Sequence, residues 1–359
     1  MPAPLLAAIR CRATCRSRST RSSRSIDVQP AASTIDERIP VHVLTGFLGS
    51  GKTTFLRHLL GEPDLADTAV IINEFGEVGL DHLLVREVSE DAVLLSSGCL
   101  CCAVRDDLVS TLADLLAMVR RGEVAAFRRV VVETTGLADP APIMQAVMSD
   151  LKLRRGYRAG SIVATVDGVS GANSIGNFAE AVQQVALADC VVITKSDLVE
   201  PWRLDALAQD VGKVNPQVRQ LVSSRASMPG AADIFDHDGT WEPRHFEMAD
   251  TPMAGRHSDG IETFTVEIDR EVDWPAFVDW LELLLAGRGQ SILRVKGLLP
   301  VRGDPRPVVI HGVQHVVYPP EYLPRWPEGM PRGWLVFIAR NLSRQAIENS
   351  LPGTFAAAH

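Results

Sequence analysis

The stretch VHVLTGFLGSGKTTFLRHLL, residues 41–60, decides how the chain folds. It opens on an apolar, strand-like run, passes through a glycine-spaced loop and continues into the helix-like TFLRHLL. The loop, GFLGSGKT at 46–53, matches G-x-x-x-x-G-K-[ST] in the strand–loop–helix setting that pattern requires. Gly46, Gly49 and Gly51 let backbone amides converge on phosphate oxygens at a helix N-terminus. Lys52 supplies a cation for the β and γ phosphates, Thr53 offers a hydroxyl to Mg²⁺, and Ser50 and Thr54 complete the nucleotide-binding set. The bland alternative is a chance glycine-rich turn.

Outward from that loop, apolar runs alternate with helix-like segments: TAVIINE, AVLLSSG, RRVVVETTG, SIVATVDG and DCVVITKSD. Runs apolar at nearly every position suit strands covered on both faces, so the fold class is α/β, a doubly wound, mostly parallel sheet. Ligands in such sheets sit beyond the carboxyl ends of the strands, where Gly46, Asn73, Cys99, Glu133, Asp167 and Asp197 fall. Residues 226–259, rich in glycine, proline and acids, read as a linker or long loop. After it, IETFTVEI, DWPAFVDWLELLLA, ILRVKGLLPV, RPVVIHGVQHVVY and GWLVFIA describe a smaller α+β domain, a sheet with helices on one face. The expected division is an extension at 1–38, a nucleotide domain at 39–228, a linker at 229–259 and a C-terminal domain at 260–352.

The totals agree with an enzyme-sized, two-domain chain: 359 residues, 46% hydrophobic and 22% charged. No apolar run approaches the roughly 18 residues a bilayer span needs, so no membrane partner is expected. A net charge of -8 gives no pull toward phosphate backbones, so no nucleic-acid partner is expected either. The opening residues carry six arginines before the first acid, Asp27, together with many serines. That composition is transit-peptide-like, or marks a disordered extension; the expected location is the cytoplasm, with organelle targeting as the alternative.

Two further motifs follow the phosphate loop in order. VVVETTG puts Glu133 at the end of an apolar strand with Gly136 three residues on. An acid there can hold a Mg²⁺ water and a glycine amide there can meet a γ phosphate; a helix cap at Thr134 or Thr135 is the plainer reading. Lys52, Glu133 and Gly136 are therefore the catalytic candidates. Thr194-Lys195-Ser196-Asp197 ends another apolar strand and resembles the [NT]KxD motif that reads guanine. A carboxylate at Asp197 accepts the N1 and N2 hydrogens of guanine, whereas adenine has no N1 hydrogen to give. Leu137 follows Gly136 where some small GTPases carry a water-orienting glutamine, so slow hydrolysis by the isolated protein is expected.

Of six cysteines, Cys99, Cys101 and Cys102 cluster in SSGCLCC on the same rim as the phosphate loop, Cys190 sits in an apolar run and reads as core, and Cys11 and Cys15 fall in the extension. Adjacent thiolates attract zinc and its neighbours, with cobalt or iron as alternatives. No second cysteine pair completes a four-sulfur site, so the site is open or shared, with Glu74 in NEFGEVGLD as a further ligand candidate. Inert buried thiols and a redox pair are the competing readings. His237, His245 and His257 read as solvated loop histidines; His311 and His315, four apart in a strand-like run, would share one face and are weaker ligand candidates.

Together, GFLGSGKTT, NEFGEVGLD, GCLCC, ETTGLADP and TKSD, with RVKGLL and VQHV near the end, resemble the CobW family of P-loop GTPases over about residues 40–350. The resemblance implies GTP binding and hydrolysis with Mg²⁺, metal binding at Cys99, Cys101 and Cys102 with Glu74 nearby, and delivery to the apo-form of a client metalloprotein. A nucleotide-dependent homodimer is a further expectation. Competing classes are a metal or redox sensor without delivery, and a P-loop kinase; TKSD weighs against the kinase.

Overall fold

The computed structural model describes residues 36–65, 67–72, 93–96, 104–235, 260–327 and 333–355. The chain divides into two units, 1–38 and 39–359. In the first, Arg38 pairs with Asp36 at 2.5 Å.

The second unit begins with β1 (Ile39–Gly46), α1 (Lys52–Leu60), β2 (Thr68–Ile72), β3 (Val93–Ser96) and α2 (Val104–Arg121). It continues with β4 (Arg129–Glu133), α3 (Ala141–Ser149), β5 (Tyr157–Asp167), α4 (Gly171–Asn177), α5 (Ala179–Leu187) and β6 (Cys190–Thr194). α6 (Pro201–Val214), β7 (Arg219–Val222) and α7 (Ala231–Phe235) complete this part. Among the described residues, seven strands form one sheet in the order β3-β2-β4-β1-β5-β6-β7, every pair parallel. Its central strands are apolar on both sides because helices cover both faces: Val41 and Val43 of β1 belong to one core, while Leu44 packs with Phe55, Leu56 and Leu59 of α1 in another. β1 lies between β4 and β5, so the loop leaving it opens at the carboxyl edge, where such sheets bind ligands.

β7 was not legible as a strand: RQLV is short and only partly buried, without the continuous apolar run of its neighbours. Cys190 does fill a core position on β6, and burial pushes its thiol up to about 12. The stretch read as linker begins differently from that reading. Ala231, Ile234 and Phe235 of α7 are buried in the core beside α1, and the Ala231 amide donates to Glu62 Oε2 at 2.9 Å. Residues 236–259, with His237, His245 and His257, lie outside the described residues.

β8 (Ile261–Glu267), α8 (Trp274–Arg288), β9 (Ile292–Val301), β10 (Asp304–Val313), β11 (Val316–Val317), β12 (Glu321–Tyr322), β13 (Trp334–Arg340) and α9 (Arg344–Ser350) follow. They build an antiparallel sheet, β11-β10-β9-β13-β8, with β12 on β10. The Asp273 side chain caps α8 by accepting from the Ala276 amide. Phe277, Leu281 and Leu285 of α8 and Ile347 of α9 share one core with this sheet. Ile261, Leu293, Val313 and Ile338 instead join the core of the first sheet, so apolar packing is continuous between the two. Arg294, 3% exposed, crosses the same boundary: it donates to Leu187 O at 2.7 Å and pairs with Asp189.

Candidate nucleotide-binding site

The phosphate loop is shaped by close backbone approaches. Gly46 has φ 144°, and a Cβ there would lie 2.5 Å from Thr165 O and 2.3 Å from Thr165 Oγ1, so only glycine passes β5 at this point. Gly51 ends the loop in the left-handed region at φ 90° and caps α1 without a side-chain hydrogen bond. No acidic residue stands in the first turn of α1, so its amides face the loop with no built-in anion.

Neighbouring strand ends brace the loop. Thr194 Oγ1 donates to Ser50 O at 2.7 Å, and Ser50 Oγ bonds Thr165 Oγ1 at 2.7 Å. Ser50 is 2% exposed, so its hydroxyl is a brace and only its backbone is left for phosphate. Thr54 is exposed at the start of α1. Lys52 Nζ donates to Gly46 O at 2.8 Å, which holds the ammonium inside the loop it would serve.

Thr53 Oγ1 donates to Glu133 Oε1 at 2.7 Å, although the two are 80 positions apart. A hydroxyl and a carboxylate in contact at the foot of a phosphate loop are the hard oxygen donors Mg²⁺ prefers, so these residues fit that ion. Glu133 is 4% exposed and reaches this place because β4 lies beside β1; beyond it, the Thr134 amide donates to Leu44 O at 2.9 Å. Gly136 then presses on the loop, since a Cβ there would lie 2.8 Å from Leu48 N. Leu137 is 53% exposed beside it.

At the end of β6, Lys195 adopts φ 55°, and its Nζ bridges Gly49 O and Asp167 Oδ2, both at 2.8 Å. Burial would push the Asp167 carboxyl up, but Lys195, the Val169 amide and the Ser170 hydroxyl together hold it below its ordinary value. Asp197 follows on an exposed turn, placed by the Ser196 amide and hydroxyl, which donate to Ser223 O at 3.1 and 3.0 Å. The sequence reading placed Asp167 on this rim without a partner, and missed Ser223. The only signal for Ser223 was a pair of serines closing a weak strand.

Glu74, Cys99, Cys101 and Cys102, and Asn73 with them, fall outside the described residues. Among the described residues, no group of three or more His, Cys, Asp or Glu side chains converges to hold a metal ion. His311 and His315 do not share a strand face, contrary to the alternation argument. β10 ends at Val313, and Gln314 turns the chain at φ 48°. His311 stacks on Tyr318 with ring centroids 4.2 Å apart, whereas His315 Nδ1 meets Leu285 O at 2.9 Å. Burial and Arg294 hold the His311 imidazole well below its ordinary value, and its Nε2 lies 3.9 Å from Asp189 Oδ1.

Residues 40–222 match the family model described as the CobW/HypB/UreG nucleotide-binding domain, and residues 261–354 match the cobalamin synthesis protein cobW C-terminal domain. Over 323 residues the chain is 32% identical to the zinc chaperone YjiA of Escherichia coli (strain K12), covering 88% of this chain and 98% of that protein. Over 213 residues it is 32% identical to the zinc-regulated GTPase metalloprotein activator 1 of Schizosaccharomyces pombe, covering 57% of this chain and 50% of that one. The crystal structure of Zn(II)-bound YjiA GTPase from E. coli superposes with a TM-score of 0.65 at 28% identity, covering 89% of this chain and 99% of the other.

Proposed function

The chain belongs to the CobW/HypB/UreG family, and from that premise we propose that it is a GTPase that carries zinc to a client metalloprotein and couples release to hydrolysis. The observation that carries the nucleotide half is the Thr53–Glu133 contact beneath a braced phosphate loop, in line with the base-reading turn at Asp197. Mg²⁺ held by the Thr53 hydroxyl, with Glu133 behind it, would neutralise charge on the β and γ phosphates. Lys52 adds a second cation, the Gly136 amide meets the γ phosphate, and Asp197 selects guanine.

The zinc half rests on Cys99, Cys101 and Cys102 with Glu74, and on relatives named as a zinc chaperone and as a metalloprotein activator. In sequence the cysteines follow β3 and Glu74 follows β2, neighbouring strands of the sheet whose β1 leads into the phosphate loop. Zinc and GTP would then act on one region, and linkage requires each to change the other's affinity by the same factor. The test is a zinc competition titration of the full chain with GDP and with a non-hydrolysable GTP analogue. The expected difference is about five- to 150-fold between the two nucleotides. Equal zinc affinities would remove the coupling. Cys101→Ala is expected to lose zinc while keeping GTP binding.

A further inference from the structure

The peptide that would meet the γ phosphate is held from behind by groups the nucleotide site does not use. Gln184 of α5, 1% exposed, donates through Nε2 to Gly136 O and Ala138 O, both at 3.1 Å. One residue further, Asp139 Oδ1 accepts the Ala141 amide at 2.9 Å and so starts α3. Its other oxygen accepts two amide side chains: Gln183 Nε2 of α5 at 2.7 Å, and Gln314 Nε2 at 3.0 Å. Gln183 Oε1 in turn accepts from Arg340 Nη2 at the end of β13.

Gln314 stands 175 positions from Asp139, in the turn between β10 and β11 of the second sheet. Its φ of 48° belongs to the region that glycine occupies without strain. A side chain is thus kept where the backbone alone favours none, and the one hydrogen bond that side chain makes among the described residues is to Asp139.

We propose that Asp139 and Gln314 form a latch through which the second sheet positions the Gly136 peptide and senses its movement when the γ phosphate arrives or leaves. Both are positioning residues for nucleotide discrimination; neither touches the nucleotide. The inference rests on the proposed GTPase reading and adds to it the path by which the second sheet reads the bound nucleotide. A shift of residues 136–139 toward a γ phosphate pulls on Asp139, whose carboxylate cannot keep both amide donors unless α5 and the β10–β11 turn move with it.

The test uses the full chain and the variant Gln314→Gly, which relieves the turn while deleting the side chain, so misfolding does not explain a change. Gln314→Glu sets a second carboxylate against Asp139 and pushes the same segment harder. Amide hydrogen exchange over 134–141 is read without nucleotide, and the ratio of affinities for a GTP analogue and GDP is read with Mg²⁺. Gln314→Gly is expected to speed exchange over 134–141 and to change the affinity ratio about three- to tenfold, with Gln314→Glu larger in the same direction. Unchanged exchange and an unchanged ratio in both variants would overturn the latch. Failure of the wild type to bind guanine nucleotides would overturn the GTPase reading instead, and exchange without nucleotide still reads the latch in that case.

Discussion

Replacing the Asp197 carboxylate by an amide is expected to change which base is complementary to the proposed guanine-reading turn. The carboxylate can accept two hydrogens from guanine, while the amide would present one acceptor and one donor, a pattern matching xanthine, which carries an oxygen at C2. Asp197→Asn is expected to weaken GTP binding about 10- to 100-fold, the scale of a lost charge-assisted hydrogen bond, and to improve binding of xanthosine triphosphate. Competition between the two nucleotides measures both effects, and undiminished GTP affinity would show that the base sits elsewhere. The sequence offers this residue as a candidate because TKSD places acceptor and strand end within four positions. Ser50 was legible only in part: it falls at an unspecified position inside the motif, and the contact that turns its hydroxyl inward comes from Thr165, 115 positions away.

At the level of elements, the boundary between α5, β6 and β9 depends on one buried cation. Arg294 is 3% exposed, and Asp189, which pairs with it, also accepts the Ile162 amide at 2.9 Å. Asp189→Asn leaves the guanidinium without its counter-charge and is expected to cost about 2–4 kcal/mol of stability, measured by denaturant unfolding. Burial would push the Asp189 carboxyl up, but Arg294 above all holds it well below the usual carboxylate range. A depressed carboxylate contributes stability that is complete above its unfolded value, about 4, and is lost as pH falls through the folded one. The part of the gap owed to the Asp189 carboxylate should therefore stay level down to pH 5 and narrow only in stronger acid, while any slope near pH 8 belongs to Lys296, whose ammonium burial lowers to about 8 and Asp189 supports. A gap that closes already near pH 6 would assign the effect to another group. Nothing in DCVVIT or ILRVKG marks these two residues as partners, because strand runs record burial but not which distant strand arrives.

For the whole molecule, the shared core decides how it comes apart. Ile261, Leu293, Val313 and Ile338 of the second sheet pack with Val41, Val43 and Leu112 of the first part, and residues 39–359 form one compact unit. Calorimetry of the full chain is expected to show one transition spanning both sheets, whereas two well-separated transitions would mean that the shared packing contributes little. The sequence by itself determined the phosphate-loop pattern, the candidates for the Mg²⁺ pair and the base reader, six of the seven parallel strands and the family, because each is encoded in a short run whose backbone and donors are local. Only the tertiary structure decided that Thr53 meets Glu133, that His311 and His315 part at a turn, and that Gln314 reaches Asp139. The two long-range contacts among these join residues 80 and 175 positions apart, and no pattern within a single element specifies which element will lie beside it.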